Sequence, residues 1–329
     1  MKTVLPVGIV AIGAYAPPGI MTNFDLEKIV DTSDEWIRTR SGISTRHIAE
    51  PSVATSDIAY EGALLALQRA NLAVEDVDLI IVATLTPDAP LPSTACLVQH
   101  KLGAMRAAAF DVSAACSGFI YALNVGSAMV ATGQYRNALV IGVDLLSRVT
   151  DYTDRGTCVL LGDGGGAVVL QPVEEGRGFL SIYLRADGSG SDLLSIPAGG
   201  SRLPSSLETV ENRQHFLRMN GAEVYRFAVR VIEESVTTAL AQAGMTTDDV
   251  ALVIPHQANI RIIEAAAKRL GIGLDRWANN IRDYGNTSAG SIPLALNEAY
   301  ETGRVHPGDV IVMVGFGGGL TWGATVLRW

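Results

Sequence analysis

Residues 66–81 read ALQRANLAVEDVDLII, and residues 239–254 read ALAQAGMTTDDVALVI; the two stretches align without a gap. Each predicts the end of a helix, an acidic turn and a short buried strand. The separation of the two copies is too long for a solenoid repeat, so we predict two similar α/β halves. The identical pairs include Ala66/Ala239, Leu67/Leu240, Ala70/Ala243, Asp76/Asp249, Val77/Val250, Leu79/Leu252 and Ile81/Ile254.

The repeat also suggests where the chain divides. We predict a first half over residues 1–172 and a second over 173–329, because an apolar strand ends near 169–172 and another is expected over 178–186. Extending the alignment places Cys116 opposite Ser288. If the halves pack about a pseudo-twofold axis, the turns that hold these two residues face one another.

Composition excludes several classes of protein. The chain has 329 residues, 48% of them hydrophobic, and a net charge of −9, which argues against nonspecific nucleic-acid binding. No apolar run approaches the ~20 residues of a membrane-spanning helix. Cys96, Cys116 and Cys158 form no CxxC pair and the five histidines are scattered, so neither a disulfide framework nor a metal site is predicted. We read the N-terminal apolar stretch as a strand over 7–12, not a signal peptide, and expect a cytoplasmic protein.

Cys116 lies between a predicted strand over 108–112 and a helix-like apolar segment from residue 118. Unpaired N–H groups and the dipole at a helix N-terminus lower the pKa of a thiol, so this turn suits a nucleophile. The alternative is a small buried apolar residue, which is the commoner fate of a cysteine.

Two further side chains extend this hypothesis. His256 follows a predicted buried strand over 251–255, where the repeat has Ala83 in the first half. Ligands of α/β proteins bind at such strand ends, although a lone histidine is more often a core residue. Asn286, in the stretch DYGNTSAGS at 283–291, is either a helix cap or an amide donor. Together Cys116, His256 and Asn286 supply a nucleophile and two hydrogen-bond donors for a thioester carbonyl or its enolate.

Three glycine- or loop-rich segments are open to interpretation. Residues 161–167 lack the lysine of a phosphate loop and lead into a strand, so a nucleotide site there is improbable. Residues 314–323 join two apolar strands and form either a tight hairpin or a source of N–H donors. Residues 188–206 show no periodicity and are expected to cross the surface near an opening.

Six motifs resemble the β-ketoacyl-acyl-carrier-protein synthase III family of the thiolase superfamily. The resemblance runs from Gly8 to Trp329 and implies a thiolase-like five-layered αβαβα fold of two duplicated halves, and a homodimer. The motifs are residues 31–37 (DTSDEWI), 114–119 (AACSGF), 153–157 (TDRGT), 256–259 (HQAN), 285–289 (GNTSA) and 317–323 (GGGLTWG).

The resemblance implies a role for each candidate residue. Cys116 takes an acyl group from acyl-CoA, and His256 and Asn286 stabilise the enolate formed when malonyl-acyl-carrier-protein loses carbon dioxide. The N–H groups of Cys116 and Gly318 form the oxyanion hole, and no metal or redox cofactor is needed. The CoA contacts implied are Trp36 and Arg155 around the adenine, Arg40 near the phosphates and Asn259 along the pantetheine arm; Arg261, Lys268 and Arg269 form the basic face for the carrier protein.

Two positions depart from many relatives. Ala222 replaces an asparagine of the pantetheine tunnel, and Leu91 replaces a phenylalanine at the dimer-shared end of the acyl pocket. The expected reaction is the initiating condensation of fatty-acid synthesis, with acetyl-CoA as the expected primer. The alternatives are a ketosynthase III-like enzyme of secondary metabolism or an acyltransferase with an unusual starter. A thiolase would have a second catalytic cysteine after Cys158, and a noncatalytic scaffold would not need Cys116, His256 and Asn286.

Overall fold

Two main β-sheets, two small two-stranded sheets and three layers of helices build the structure, a computed structural model that describes residues 4–329. Residues 1–3 of the predicted first half lie outside the described residues. The strands are β1 (Val7–Tyr15), β2 (Ile20–Thr22), β3 (Thr45–His47), β4 (Leu79–Ala83), β5 (Ala108–Val112), β6 (Ala138–Leu145), β7 (Asp163–Pro172), β8 (Gly178–Ala186), β9 (Leu194–Ser195), β10 (Arg218–Met219), β11 (Leu252–Pro255), β12 (Val310–Gly317) and β13 (Thr321–Arg328).

The helices range from single turns to a 22-residue helix in the second half. Capping side chains define several starts, as where Ser33 accepts a hydrogen bond from the N–H of Trp36. The helices are α1 (Asn23–Leu26), α2 (Asp34–Ser41), α3 (Thr55–Ala70), α4 (Thr94–Leu102), α5 (Gly118–Ala131), α6 (Arg155–Cys158), α7 (Leu207–Glu211), α8 (Gly221–Gln242), α9 (Ile260–Leu270), α10 (Ile281–Tyr284) and α11 (Ser291–Glu301).

The two main sheets repeat one topology. The first has the strand order β1-β7-β6-β4-β5, and the second has β8-β13-β12-β11. In each, the strand of the sequence repeat (β4 or β11) runs parallel to a neighbour (β6 or β12), which pairs antiparallel with the next strand. The first sheet has one additional strand, β5, at its edge. The predicted duplication of the fold is therefore confirmed, and the division of the chain at residue 172 stays our interpretation.

Hydrophobic cores on both faces of each sheet produce the layers. Along β4, Ile80 and Val82 pack toward α3 and α4, whereas Leu79 and Ile81 pack toward α5. Helices α5 and α11 share one core with both sheets, and α8 and α9 cover the outer face of the second sheet. The order is thus helix, sheet, helix, sheet, helix, as predicted.

Most predicted elements occur with the expected bounds. The strands predicted over 79–83, 108–112 and 178–186 are β4, β5 and β8, and the strand predicted over 7–12 continues to Tyr15 as β1. The extension follows from pairing, because β7 is ten residues long and continues to pair with β1 beyond Ile12. Within residues 4–329, no helix combines the length and apolarity needed to cross a lipid bilayer.

The middle layer brings the two halves together through close backbone contacts. A Cβ on Gly142 of β6 would lie 2.4 Å from the carbonyl oxygen of Ala289, so only glycine fits there. Two residues along β6, the buried carboxylate of Asp144 accepts a hydrogen bond from the N–H of Ala289 at 3.1 Å. These contacts position the turn before α11 against the first sheet.

Candidate active site

Cys116 lies in a one-turn 3₁₀ segment, Ala115–Ser117, between the end of β5 and the start of α5. This is the strand-to-helix turn predicted from the sequence. Ala115 has a φ of +45°, a left-handed conformation that is unfavourable for a residue with a Cβ. The thiol is buried, with 7% of Cys116 exposed, and it lines the main cavity of the protein.

The expected lowering of the Cys116 pKa is wrong for this structure. Burial raises the pKa of the thiol to about 12, and the nearby carboxylate of Asp144 adds to the rise. The helix start does not offset the loss of water around the sulfur. Burial therefore favours the protonated form of the Cys116 thiol over the thiolate.

His256 directly follows β11 and is almost fully buried. Its Nδ1 lies 2.7 Å from the hydroxyl oxygen of Ser291, which also accepts a hydrogen bond from the N–H of Gln257 at 3.3 Å. A hydroxyl oxygen can accept two hydrogen bonds, so this geometry allows Ser291 either to donate to Nδ1 or to accept from it; in the first case the ring hydrogen is on Nε2. Burial lowers the pKa of His256 to about 3, so the ring is neutral. A neutral ring with hydrogen on Nε2 is a donor.

Asn286 is held by its backbone on two sides. Its N–H donates to the carbonyl oxygen of Leu160 at 2.8 Å, and its own carbonyl accepts from the N–H of Gly162 at 2.9 Å. The side-chain oxygen accepts from the N–H of Ser288 at 2.8 Å. That bond fixes the orientation of the amide and leaves Nδ2 as a donor. Asn286 precedes a 3₁₀ turn, Ser288–Gly290, and does not cap α11 directly.

The glycine-rich segment between β12 and β13 approaches the nucleophile closely. A Cβ on Gly317 would lie 2.6 Å from the backbone nitrogen of Cys116, so glycine is required for this contact. Gly318 lines the same cavity as Cys116. Within residues 4–329, no acceptor takes a hydrogen bond from the N–H of Gly318, which leaves it available to a ligand. The segment is thus both a hairpin turn and a source of an N–H donor.

One cavity of about 830 Å³ contains all four residues. Its other lining side chains are mainly apolar, and they include part of the 188–206 segment, which was expected near an opening. The cavity extends from the buried Cys116 to the half-exposed Trp36. The residues that line the cavity include Trp36, Arg40, Leu85, Cys116, Leu146, Leu161, Leu194, Ile196, Leu217, Ala222, Arg226, His256, Asn259, Arg261, Asn286 and Gly318.

Of the four predicted CoA contacts, Trp36, Arg40 and Asn259 line this cavity, and Arg155 contacts Trp36 from outside the lining. The guanidinium of Arg155 lies over the indole of Trp36, 4.9 Å from the ring centroid, and donates to the carbonyl of Asp31. Arg155 and Trp36 are therefore stacked on each other, and a base that binds between them has to displace Arg155. Arg40 is exposed on α2. Asn259 caps α9 and also donates to the carbonyl of Arg40 at 3.0 Å, which joins the start of α9 to the end of α2.

The predicted basic face lies on α9. Arg261, Lys268 and Arg269 are all exposed, and Arg261 lines the cavity mouth with its guanidinium 5.8 Å from the ring centroid of Tyr225. Arg269 forms a surface ion pair with Glu233 at 3.0 Å.

Leu91 lies apart from this site. It is 85% exposed and is not among the residues that line the cavity of its own chain. Its assignment to the acyl pocket concerned the end shared by two subunits and stays a prediction. Ala222, in contrast, lies in the cavity wall at the start of α8.

Comparison with known proteins identifies the family. Family models described as 3-oxoacyl-[acyl-carrier-protein] synthase III and its C-terminal part match residues 110–188 and 240–329. The chain is 55% identical over 323 residues to the β-ketoacyl-[acyl-carrier-protein] synthase III of Desulfitobacterium hafniense, covering 98% of both chains. It is 55% identical over 322 residues to that of Caldanaerobacter subterraneus, covering 98% of this chain and 97% of the relative. The chain belongs to the β-ketoacyl-[acyl-carrier-protein] synthase III family.

Solved structures agree with this membership. The synthase III structure from Aquifex aeolicus superposes with a TM-score of 0.92 at 48% identity, covering 98% of this chain and 100% of the other. The predicted family and thiolase-like fold are therefore confirmed, and the protein is a condensing enzyme of the acyltransferase class.

Some neighbours of the synthase III site were not predicted. Ser291, which orients His256, and Leu160, which holds Asn286, are far from their partners in sequence and carry no motif of their own. Arg226 at the cavity mouth could have been noticed as a cation on the exposed face of the long helix α8. Among residues 4–329, no group of three or more metal-ligating side chains occurs.

Proposed function

We propose that the protein joins an acyl primer, carried on CoA, to the malonyl group of malonyl-acyl-carrier-protein and so starts fatty-acid synthesis. The observation that carries this proposal is that Cys116, His256, Asn286 and Gly318 line one cavity in a chain of the synthase III family. The four residues come from four separate segments, so their convergence is a property of the fold.

In the first step the sulfur of Cys116 attacks the thioester carbonyl of acyl-CoA. The new bond joins Cys116 Sγ to the acyl carbon, the bond from that carbon to the CoA sulfur breaks, and the proton lost by Cys116 balances the one gained by CoA. The oxygen of the tetrahedral intermediate accepts hydrogen bonds from the N–H groups of Cys116 and Gly318. Burial of the site strengthens both bonds.

In the second step the malonyl group loses carbon dioxide. The electron pair of the broken carbon–carbon bond moves into an enolate, whose oxygen accepts hydrogen bonds from His256 Nε2 and Asn286 Nδ2. The nucleophilic carbon then attacks the acyl carbon on Cys116, the thioester bond breaks, and the leaving sulfur takes up a proton. These steps use only groups of the chain and the two substrates, so we propose that no metal or redox cofactor takes part.

The binding roles follow the length of the cavity. Trp36 and Arg155 bind the adenine, Arg40 lies near the phosphates, and Asn259 lies along the pantetheine arm. Arg261, Lys268 and Arg269 attract the acidic carrier protein, which explains how a chain of net charge −9 binds such a partner.

We propose a homodimer in the cytoplasm. Within residues 4–329, strand β5 pairs only with β4 and leaves an open edge, and Leu91 and Met105, in the loops that flank α4, are 85% and 73% exposed. An open edge with apolar side chains favours pairing with a second copy. Cys96, Cys116 and Cys158 are free thiols, which suits a reducing compartment. Analytical ultracentrifugation tests the assembly, and a monomer at micromolar concentration would contradict it.

The reaction is tested by intact-mass measurement. The protein is incubated with acetyl-CoA and with longer and branched acyl-CoAs, and malonyl-acyl-carrier-protein is then added. We expect one acyl adduct on Cys116 that disappears as 3-oxoacyl-carrier-protein forms. Absence of any adduct would overturn the proposal, and an adduct that never condenses would indicate an acyltransferase instead.

A further inference from the structure

Two hydroxyl groups, one from each half of the chain, meet directly behind the oxyanion hole. Ser117 follows Cys116 in sequence, and Thr321 begins β13 just after the glycine-rich segment. Their hydroxyl oxygens are 2.8 Å apart, although the residues are separated by 204 positions. Ser117 is fully buried.

Both hydroxyls also contact backbone carbonyls of the segments that hold the oxyanion hole. The Ser117 oxygen lies 2.8 Å from the carbonyl oxygen of Ala114. The Thr321 oxygen lies 3.1 Å from the same carbonyl and 3.0 Å from the carbonyl oxygen of Gly318. The network therefore joins the Cys116 turn to the Gly318 segment.

The hydrogens available to this network are limited. Each hydroxyl has one hydrogen, and the carbonyls of Ala114 and Gly318 only accept. Two oxygens 2.8 Å apart require a hydrogen between them, so one hydroxyl donates to the other. The remaining hydrogen goes to a carbonyl of one segment or the other. In each such arrangement the bond between Ser117 and Thr321 connects the two halves.

The network adjoins a residue in an unfavourable backbone conformation. Ala115, between Ala114 and Cys116, has a φ of +45°, and such conformations persist only when the surroundings hold them in place. The carbonyl of Ala114 also accepts from the N–H of Ser117 at 3.2 Å, so it contacts one N–H and two hydroxyls. On the other side, the main chain of Gly317 lies directly against Cys116.

We propose that Ser117 and Thr321 are positioning residues that set the spacing of the two oxyanion-hole donors, the N–H groups of Cys116 and Gly318. This inference rests on the proposed function, in which both donors bind one oxygen. Neither Ser117 nor Thr321 is among the residues that line the cavity. They act through the backbone, because each donor belongs to a segment whose carbonyl contacts the hydroxyl pair.

Loss of the bond should slow acylation of Cys116 without weakening CoA binding. Removing an oxyanion donor outright lowers a rate by about 100- to 1000-fold, so displacing one should cost less, about tenfold. The CoA contacts proposed above, Trp36, Arg40, Arg155 and Asn259, lie outside this network. The saturating acylation rate should therefore fall while the half-saturating acyl-CoA concentration stays within about twofold.

The test compares four variants of the full-length protein by rapid-quench intact mass. Thr321→Val removes the hydroxyl and keeps the side-chain shape, Thr321→Ser keeps the hydroxyl, and Ser117→Ala removes its partner. The matched control is Thr325→Val, on the same strand, where a buried hydroxyl donates to the carbonyl of Ser181 at 2.9 Å. Thermal unfolding of each variant checks that the fold is intact.

We expect Thr321→Val and Ser117→Ala to acylate about tenfold more slowly, and Thr321→Ser and Thr325→Val to stay within about threefold of the wild type. An unchanged rate in Thr321→Val overturns the inference, as does an equal loss in Thr325→Val or failure of Thr321→Ser to restore the rate. If Thr321→Val does not fold, Ser117→Ala decides the question by the same rate. A wild-type protein that forms no adduct overturns the proposed function and this inference with it.

Discussion

The turn before α5 and the turn before α11 are built alike but have different roles in the proposed mechanism. Each is a single 3₁₀ turn, Ala115–Ser117 or Ser288–Gly290, leading into a helix of the middle layer. Each contains a residue other than glycine at positive φ, Ala115 at +45° and Ser288 at +50°. The duplicated backbone thus presents two sets of side chains to one cavity.

In the proposed mechanism, the side chains at equivalent positions divide the reaction between the halves. In the sequence repeat, Ala83 and Ala114 of the first half correspond to His256 and Asn286 of the second. The first half therefore offers a nucleophile among small residues, and the second offers two donors. Ala83 lies close to the start of α5, because a Cβ on Gly118 would lie 3.2 Å from that of Ala83. The duplicated backbone brings two equivalent turns to one cavity, and the different side chains at equivalent positions give the two halves their different proposed roles.

Replacing Cys116 by Ala should have the largest effect, because it removes the proposed nucleophile, which the first half supplies. We expect no acyl adduct in intact-mass spectra after incubation with acyl-CoA, because no other thiol lines the cavity within residues 4–329. Cys158→Ala, at a buried cysteine outside the lining, is the matched control and should acylate normally. An adduct on the Cys116→Ala protein would place the nucleophile elsewhere.

Replacing His256 or Asn286 by Ala should affect the other half-reaction. Decarboxylation of malonyl-acyl-carrier-protein is expected to fall about 100- to 1000-fold, because one donor to the enolate oxygen is lost. Acylation of Cys116 should fall by less than about tenfold, since its oxyanion donors are backbone N–H groups. Carbon dioxide release and intact mass measure the two steps separately. Loss of acylation alone would show that the halves do not divide the work as proposed.

Gly290→Ala and Gly118→Ala compare the packing of the two turns. A Cβ on Gly290 would lie 2.2 Å from the carbonyl oxygen of Gly164, whereas one on Gly118 would meet side-chain atoms, the Cβ of Ala83 at 3.2 Å and that of Ala289 at 3.7 Å. We expect Gly290→Ala to lower the free energy of unfolding by about 1–3 kcal/mol, because the clash is with backbone. Gly118→Ala should change it by less than about 1 kcal/mol, since alanine also favours the helix. Chemical denaturation measures the free energy of unfolding of both variants, and equal losses of stability would contradict the predicted difference between the two turns.

The smallest expected effect concerns His256, whose protonation state should not change between pH 8 and pH 5. Its folded pKa of about 3 is below the ordinary value of 6.5, so the ring stays neutral from pH 8 down to pH 5. The sign for stability follows. Only the unfolded chain takes up this proton below pH 6.5, so stability is fully present above that pH and falls as the pH drops toward 3.

Nitrogen-15 NMR of labelled histidine, assigned with the His256→Gln variant, measures this directly. We expect the ring shifts of His256 to stay constant between pH 8 and pH 5, with hydrogen on Nε2. A shift that titrates within this range would show that the site is wetter than the structure has it.

Much of the fold could be predicted because its signals are local or repeated. Apolar runs bounded by turns defined β4, β5 and β8, and the two copies of one helix, turn and strand unit implied two stacked halves. Cys116, His256 and Asn286 could be proposed because each follows a strand end or turn that places side chains at the edge of a sheet. The precise bounds of β1 could not, since its last residues are strand only because β7 pairs with them.

The electrostatics of the site escaped prediction for a physical reason. A helix start favours a thiolate, but the pKa of Cys116 depends on how much water reaches the sulfur and on Asp144 of another strand. Likewise, the 4.9 Å stacking of Arg155 on Trp36 and the 85% exposure of Leu91 are outcomes of tertiary packing. A sequence motif identifies the side chains of a site but does not indicate how much water reaches them.

The sequence by itself determined the duplicated α/β architecture, the chemical identity of the nucleophile and donors, and the turns that hold them, because period, composition and turn chemistry act over a few residues. Only the tertiary structure decided which atoms meet. The orientation of His256 by Ser291, the hold of Leu160 on Asn286 and the bond between Ser117 and Thr321 all join residues distant in sequence. Such contacts exist because the two sheets bury one shared core, and burial in that core also sets the pKa of Cys116 and His256.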